Sequence, residues 1–175
     1  MSFRPNTTTS STQLAAFIGV GANQPSWAGS ERQTIERVVP LLQQLSSSPL
    51  ALSSLYVTQP VDCPPDSPDF VNAVAQIQVS NTQSPLKLLD KLQELEKHFG
   101  RQRNEHTNTV VNGPRPLDLD LIYFGGIALV SERLTLPHPR AKDRLFVLEP
   151  LAELVTRLDL GASTENISEL IQQLR

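Results

Sequence analysis

The chain has 175 residues, of which 39% are hydrophobic, and its formal net charge is -3 at pH 7. This length and apolar content suit one compact domain, and the acidic balance gives no reason to expect nucleic acid or an anionic membrane as a partner. No apolar run approaches the ~20 residues of a membrane helix, no secretory signal is recognisable, and the single cysteine, Cys63, excludes an internal disulfide. We therefore expect a cytoplasmic protein in which Cys63 is a loop thiol without a role.

The first 80 residues predict a tail, three strands and a helix. Residues 1–13 are rich in Ser, Thr and Asn and predict a disordered tail, with a targeting remnant as the alternative, so that the domain spans 14–175. The strands are expected in three apolar stretches, Leu14 to Val20, Leu50 to Val57 and Phe70 to Val79. The third alternates apolar and polar residues with a break at Val74, which indicates that both of its faces are partly covered. Ser30 and Gln33 resemble a capping box at the start of the helix, whose apolar face has helical spacing: Ile35, Val38, Val39, Leu42 and Leu45.

The second half of the chain predicts further helices and a hairpin. Ser84 and Pro85 are typical of a helix start, and Gly100 is expected to end that helix. The remaining elements are a polar loop, a fourth strand, a hairpin turn, a helix interrupted at Pro150 and a last helix, at 101–114, 117–124, 125–130, 145–158 and 167–174. The order strand-helix-strand-strand-helix-strand predicts an α+β protein with a ferredoxin-like βαββαβ core, an antiparallel sheet and appended C-terminal helices.

An alternating Leu-Asp segment carries the clearest chemical signal. Because strand side chains alternate between faces, Asp118 and Asp120 are predicted to share one face and Leu117, Leu119 and Leu121 the other. Two carboxylates about two strand steps apart, roughly 6.5–7 Å between Cα atoms, repel each other unless a cation lies between them. Mg²⁺ binds through one or two carboxylates plus substrate phosphates, which fits this pair. A solvated strand face is the alternative, since a bare Asp-x-Asp is common.

Basic residues concentrate around that acid pair although the chain as a whole is acidic. Eight of the fifteen Lys and Arg residues lie within residues 96–144: Lys97, Arg101, Arg103, Arg115, Arg133, Arg140, Lys142 and Arg144. Arginine guanidinium groups bind phosphate oxygens in a bidentate manner. Basic loops beside a metal-binding acid pair are typical of a polyphosphate site, whereas a solvated charged surface is the alternative for any single arginine.

Two loop segments predict contacts to a second ligand. Phe70 and Asn72, beside a Pro-rich loop, offer an aromatic face and an amide that together suit a flat polar heterocycle, although a core Phe and a turn Asn would have the same pattern. Pro137 and Pro139 flank His138 in a rigid turn that displays one imidazole. The pattern does not predict a zinc site, since no second His or Cys has metal-ligand spacing.

These features converge on a known family. The octapeptide at 113–120, Gly-Pro-Arg-Pro-Leu-Asp-Leu-Asp, closely resembles the G-P-R-x-L-D-L-D signature of the 6-hydroxymethyl-7,8-dihydropterin pyrophosphokinases. Further matches follow in the order of that family, at 21–23, 53–58, 70–72, 100–103, 133–138 and 144–151. The resemblance covers roughly residues 14 to 155.

The resemblance implies a ferredoxin-like α+β fold and a folate-pathway reaction, in which pyrophosphate moves from ATP to the pterin hydroxymethyl group and AMP leaves. It implies two Mg²⁺ ions held by Asp118 and Asp120, and catalytic roles for these two acids and Arg101, Arg103 and Arg115. The implied pterin contacts are Phe70 and Phe146 on the two ring faces, Asn72 at the edge, and Thr58 and Val61. The implied ATP contacts are Gln93, Glu96, Leu121, Arg133, Thr135, His138 and Arg144.

The sequence departs from the pattern of this family in its longest polar loop. Many bacterial members have Arg-Trp where this chain has Val111-Asn112, and the segment from Asn104 to Val110 is longer than in compact bacterial members. The Asn before Gly-Pro-Arg resembles the fungal and plant branch. We assign no catalytic role to Val111 or Asn112. Pro139 also replaces a Tyr that is common beside the histidine.

Two other functions remain open from the residues alone. One is a different Mg²⁺-dependent nucleotidyl or phosphoryl transferase that uses the same acid pair, and the other is a non-catalytic ferredoxin-like sensor of small molecules. The expected partners are ATP and a reduced pterin, without nucleic acid or membrane, and the expected state is a monomer.

Overall fold

The computed structural model describes residues 13–102, 113–161 and 164–175. Its strands are β1 (Gln13–Ala22), β2 (Ala51–Leu52), β3 (Tyr56–Thr58), β4 (Phe70–Ser80), β5 (Asp118–Phe124), β6 (Leu129–Val130), β7 (Thr135–Leu136), β8 (Arg157–Asp159) and β9 (Thr164–Asn166). Its α-helices are α1 (Glu31–Gln43), α2 (Pro85–His98), α3 (Leu145–Ala152) and α4 (Ile167–Leu174), and a single 3-10 turn covers Ala141–Asp143.

The main sheet is antiparallel and built around β1. The strand order is β2-β4-β1-β5, and β3 also pairs with β4 beyond the end of β2. β1 pairs with β4 along its whole length, from Gln13 opposite Ser80 to Ala22 opposite Val71, and its other edge pairs with β5. The chain is therefore a mixed protein of α-helices and an antiparallel sheet, which confirms the predicted α+β class at this level. The predicted first, third and fourth strands are confirmed.

Both faces of the sheet are covered. One core places Ile18 and Ile77 of the sheet against α1 and α2, which contribute Ile35 and Leu92. A second core on the opposite face includes Phe17, Val74 and Ile122 with the apolar residues Leu148, Leu151 and Ile167 of α3 and α4. The predicted break at Val74 has this cause, because the strand contributes buried side chains to two layers.

The two large helices begin differently. The Ser30 hydroxyl accepts a hydrogen bond from the backbone N–H of Gln33, and the Gln33 side chain accepts one from the backbone N–H of Ser30, so the predicted capping box is confirmed. Ser84 occupies the N-cap position of α2, but its side chain makes no capping hydrogen bond, and the helix begins with Pro85. Gly100, with φ of +94°, follows the end of α2 as predicted.

The stretch predicted as one strand from Leu50 to Val57 is instead divided into β2 and β3. The backbone N–H of Val74 donates to the Ser53 hydroxyl, and the backbone N–H of Ser53 donates to the Val74 carbonyl. A side-chain oxygen thus takes the place of a backbone acceptor at this point. The ladder along β4 is interrupted there and resumes at Tyr56.

Two other predictions in the second half are wrong. The segment after Gly125-Gly126 does not pair with β5: β6 pairs with β7, and the positive φ angles of the two glycines turn the chain away from the sheet. The helix predicted over 145–158 does not break at Pro150, which lies inside α3; it ends at Ala152. Leu158 is instead a buried residue of β8, whose pairing with β9 favours strand there. The last helix, Ile167–Leu174, is as predicted.

The tail predicted over 1–13 falls almost wholly outside the described residues, and Gln13 belongs to β1. No helix in the described part of the chain combines the length and apolar character needed to cross a membrane.

Candidate active site

The acid pair lies on β5 as its alternation predicts. Leu119 and Leu121 are 2% exposed and belong to the core beneath α2, whereas Asp118 and Asp120 lie on the opposite face and line an open cavity. The cavity has a volume of about 210 Å³. β5 thus anchors the two acids through buried leucines on its other face.

Two glycines of β1 keep the floor of this site open. Gly21 is paired with Asp118 and Gly19 with Asp120. A Cβ atom on Gly21 would lie 2.8 Å from the Asn72 side-chain oxygen, which is too close, so a larger residue here would displace the Asn72 amide that contacts Thr58. This role was not predicted. Two glycines two residues apart on a strand were the available signal, because such residues leave one face of the strand bare.

Two arginines neutralise the acid pair in part. The Arg101 guanidinium donates to both the Asp118 and the Glu96 carboxylates, and the Arg115 Nε atom lies 3.5 Å from Asp118 Oδ2. Asp120 is exposed to the cavity, and desolvation by the surrounding protein, followed by repulsion from Asp118 and Glu96, raises its pKa to about 6. The site is therefore arranged so that added positive charge stabilises it.

Glu96 supports this arrangement from below. Its carboxylate is 1% exposed, accepts a hydrogen bond of 2.8 Å from the backbone N–H of Leu119 and contacts Arg101. Glu96 thereby links the C-terminal turn of α2 to β5 between the two acids. The structure places it behind Arg101 rather than on the wall of the cavity.

An aromatic slot forms the other half of the cavity. Phe70 and Phe146 both line it, together with Thr58, Val61 and Asn72, so the cavity brings together all five residues predicted to contact a pterin. The Asn72 side-chain amide donates to the Thr58 hydroxyl at 2.8 Å.

An arginine guanidinium also lies over each of the two rings. The Arg115 guanidinium lies 5.6 Å from the centre of the Phe70 ring, and that of Arg144 lies 5.3 Å from the centre of the Phe146 ring. Phe70 therefore has positive charge beside it near the acid pair, and Phe146 has positive charge beside it near His138. A ligand that stacks on either ring enters next to an arginine.

The residues predicted to contact ATP are more scattered. His138 and Arg144 line the cavity with the acids. Leu121 is buried in the core, and Arg133 forms a surface ion pair with Asp90. Gln93, on α2, and Thr135, on β7, are partly buried and do not line this cavity.

One predicted catalytic residue, Arg103, lies outside the described residues, as do Asn104 to Val110, Val111 and Asn112.

His138 is a neutral imidazole in this environment. Burial, and then the charges of Arg144 and Arg140, lower its pKa from 6.5. The backbone N–H of Arg140 donates to His138 Nδ1 at 3.3 Å, so the proton of the neutral ring is on Nε2. The ring therefore offers one N–H donor to a ligand.

Other residues at the site were given no individual role from the sequence, although Arg140 belongs to the predicted basic cluster. Gln59, Cys63 and Arg140 line the cavity, so Cys63, interpreted from sequence as a thiol without a role, lies at its wall. Asn23, 2% exposed, accepts from the backbone N–H of Arg115 at 2.7 Å and donates to the Pro68 carbonyl at 3.3 Å. It thus fixes the backbone of Arg115 to the Pro-rich loop. The signals in the sequence were an Asn directly after a strand, two residues after Gly21, and the family match at 21–23.

The donor set fits a hard divalent cation bound jointly with a ligand. Within the three described ranges, no three His, Cys, Asp or Glu side chains form a group that could hold a metal by themselves. Asp118 and Asp120 present carboxylate oxygens into the cavity, where desolvation and then repulsion from Asp118 raise the pKa of Asp120. Two carboxylates with further ligands from phosphates are the usual environment of Mg²⁺.

A carboxylate pair, arginines and an aromatic slot in one cavity define an enzyme that transfers a phosphate-containing group to a flat-ring substrate. The chain belongs to the 7,8-dihydro-6-hydroxymethylpterin-pyrophosphokinase (HPPK) family, whose model matches residues 17–156. The resemblance stated from the octapeptide is thereby confirmed.

Curated relatives agree with this family. The chain is 38% identical over 161 residues to the 2-amino-4-hydroxy-6-hydroxymethyldihydropteridine pyrophosphokinase of Haemophilus influenzae, covering 91% of this chain and 92% of that protein. It is 35% identical over 150 residues to the Bacillus subtilis protein of the same name, covering 85% and 83%. It is also 34% identical over 143 residues to a folate synthesis bifunctional protein of Arabidopsis thaliana, covering 82% of this chain and 27% of that protein.

Proposed function

We propose that this chain transfers pyrophosphate from ATP to the hydroxymethyl group of 6-hydroxymethyl-7,8-dihydropterin in folate biosynthesis. The pterin hydroxyl oxygen forms a bond to the β-phosphorus of ATP, and the bond between that phosphorus and the oxygen bridging to the α-phosphorus breaks. AMP leaves with the bridging oxygen, and the hydroxyl proton is released. The products are AMP and the pterin pyrophosphate ester.

One observation carries the proposal: the acid pair, the arginines and the aromatic slot line the same cavity. The slot between Phe70 and Phe146 suits a pterin ring, and the Asn72 amide suits its polar edge. Asp118 and Asp120 line the cavity beside this slot, where the transferred pyrophosphate group has to lie. Both substrates therefore have complementary surfaces within one cavity.

The protein contributes mainly position and charge. Arg101 and Arg115 already contact Asp118, and both guanidinium groups can turn to phosphate oxygens when a cation occupies the acids. Asp118 and Asp120 would hold two Mg²⁺ ions, which would neutralise phosphate charge and lower the pKa of the attacking hydroxyl. His138 and Arg144 are the contacts on the ATP side. Transfer of a phosphate-containing group depends chiefly on such positioning and neutralisation.

We infer that the core is ferredoxin-like, since the elements from β1 to β5 follow a strand-helix-strand-strand-helix-strand order when β2 and β3 count as one strand. We further infer one catalytic domain over residues 14–175 that acts as a cytoplasmic monomer. Size-exclusion chromatography with light scattering tests the monomer.

A product assay tests the proposed function. We expect the chain to release AMP from ATP only when Mg²⁺ and 6-hydroxymethyl-7,8-dihydropterin are both present, with one pterin pyrophosphate formed per AMP. Pterin lacking the hydroxymethyl group is the matched control and should release no AMP. Release of ADP, or AMP release that is independent of the pterin, would contradict the proposal and favour a different transferase.

A further inference from the structure

A surface contact joins β3 to the C-terminal end of α3. The Tyr56 hydroxyl donates to Glu153 Oε1 at 2.5 Å, and the backbone N–H of Ser54 donates to Glu153 Oε2 at 2.8 Å. Both oxygens of one carboxylate are therefore occupied by the same strand segment. Neither Tyr56 nor Glu153 lines the cavity, and none of the roles described above involves them.

The contact joins the two elements, β3 and α3, that carry Thr58 and Phe146 of the cavity wall. Tyr56 precedes Thr58 by two residues on β3, so the two side chains leave the same face of the strand. Glu153 follows Phe146 by seven residues, about two helical turns, so both lie on the same side of α3. Thr58 and Phe146 line the cavity at one end of this pair of elements, and Tyr56 and Glu153 connect the elements at the other end.

Apart from its pairing with β4 and the hydrogen bond from Asn72 to Thr58, few interactions among the described residues hold β3 in place. It is a strand of three residues that pairs only with β4 among the described elements, and a loop rich in proline follows it. Val57, on its other face, is 67% exposed and contributes no burial there. The distance between Thr58 and Phe146 therefore depends on what connects β3 directly to α3.

The protonation states favour the contact at neutral pH. The hydrogen bond to Glu153 raises the pKa of Tyr56 to about 12, and the hydrogen bonds from Tyr56 and Ser54 lower the pKa of Glu153. The phenol remains a donor and the carboxylate a charged acceptor. A charge-assisted hydrogen bond of this type is shorter and stronger than a neutral one.

We propose that Tyr56 and Glu153 are positioning residues that set the distance between Thr58 and Phe146 across the cavity, and so fix where Phe146 stands in the aromatic slot and control affinity for the flat ring. This inference rests on the proposed function, because it assigns the pterin to that slot. It extends the site to two residues that touch neither substrate. Removing them changes no residue that lines the cavity but takes away the side-chain hydrogen bond that links β3 to the end of α3.

Binding measurements on matched variants test this role. Tyr56→Phe removes only the hydroxyl, and Tyr123→Phe is the control, since Tyr123 packs against Phe17 away from the cavity. Glu153→Ala removes both acceptors, and Glu153→Gln keeps one acceptor oxygen. For each variant, calorimetry measures the Kd of the pterin in the presence of a non-hydrolysable ATP analogue and Mg²⁺, the Kd of the analogue alone, and the melting temperature.

We expect Tyr56→Phe and Glu153→Ala to weaken pterin binding by about two- to tenfold, because the contact is charge-assisted but partly exposed. Glu153→Gln should lie between Glu153→Ala and the parent. The affinity for the ATP analogue should stay within about twofold, and Tyr123→Phe should match the parent. Combining Tyr56→Phe with Glu153→Ala should add little to either single change.

Other outcomes would overturn the inference. Parental pterin affinity in Tyr56→Phe would do so, and so would equal losses for pterin and nucleotide together with a lowered melting temperature, which indicate a merely structural contact. If the parent itself bound no pterin and released no AMP, the proposed function would fail first and the inference with it. If the parent is active and the variants bind the pterin as tightly as the parent does, the proposed function stands and only this inference fails.

Discussion

At the scale of single residues, the two acids of the pair differ in the cationic side chains that balance their charge. Arg101 and Arg115 both contact Asp118, whereas the carboxylate of Asp120 faces the cavity and has a pKa raised to about 6. The two neighbouring acids therefore differ: Asp118 is already paired with arginine, whereas within the described part of the chain Asp120 forms no ion pair with an arginine or lysine. A divalent cation bound between them would favour the charged form of both.

The first prediction concerns this pair. Asp118→Asn and Asp120→Asn keep the size of each side chain but remove a charge, and each should lower turnover on the order of 10²-fold or more, because the metal's contribution amounts to several kcal/mol. Asp159→Asn, in β8, is the control and should be neutral. Steady-state AMP release and Mn²⁺ titration by electron paramagnetic resonance measure the two effects. Unchanged Mn²⁺ affinity in both variants would exclude these acids as ligands.

His138 gives a second prediction, about pH. Its pKa is lowered in the folded protein, so below about pH 6.5 the unfolded chain binds the proton more readily. The free energy of unfolding contributed by this group is therefore present above pH 6.5 and is lost as pH falls below it.

Urea unfolding between about pH 8 and about pH 5.5 checks this sign. The parent should lose more stability over that range than His138→Gln, which cannot titrate. A direct measurement is the titration of the imidazole by NMR, where a pKa at or above 6.5 would contradict the description of the site.

At the scale of elements, α1 and α2 show how local sequence defines a helix start to different extents. Both begin after a serine, but only Ser30 forms the reciprocal hydrogen bonds with Gln33. In α2 the fixed φ angle of Pro85 and the missing N–H of proline already suit the first turn. The same residue type at the same position therefore has different energetic importance.

This difference makes a third prediction. Ser30→Ala should lower the free energy of unfolding by about 0.5–2 kcal/mol, whereas Ser84→Ala, its matched control, should change it by less than about 0.5 kcal/mol. Chemical denaturation of the two variants measures both values. Equal losses would mean that the Ser84 hydroxyl does cap α2 in solution.

At the scale of the whole molecule, the slot depends on segments far apart in sequence. Phe70 begins β4, which is fixed by pairing with β1, and Phe146 lies in the first turn of α3, which packs on the opposite face through Leu148 and Leu151. The sheet and α3 must dock correctly before the two rings line one cavity.

The fourth prediction follows from this arrangement. Phe70→Ala and Phe146→Ala should each weaken pterin binding by about 1–3 kcal/mol through lost stacking and burial. Phe146→Leu keeps apolar bulk without a ring and separates these two terms. Calorimetry should show a much smaller change for ATP, and equal losses for both ligands would place the slot elsewhere.

Much of the molecule follows from local pattern. The alternation of Leu and Asp from 117 to 121 determined which face of β5 is buried, because a strand has a period of two. The capping box and the end of α2 at Gly100 were likewise predicted, since each depends on residues near in sequence. The break at Val74 was also visible in the alternation within its own strand, although the residues that cover Val74 are distant in sequence.

Other features depended on partners distant in sequence. The division into β2 and β3 depends on a hydrogen bond from Val74 to the Ser53 side chain, and the strand at Leu158 depends on pairing with β9. Gly19 and Gly21 leave space next to the acid pair only because β5 pairs with β1 at these positions. None of these partners can be identified from the segment itself.

The sequence alone therefore determined the family, the acid pair and the residue types of the cavity, because the octapeptide and the strand period are local properties of the chain. Tertiary structure alone decided that Glu96 lies behind Arg101, that Asn23 holds the backbone of Arg115, and that Tyr56 reaches Glu153 across 97 positions. These contacts are hydrogen bonds and ion pairs with strict distances and directions. Their partners come together only when the sheet and the helices pack into one molecule.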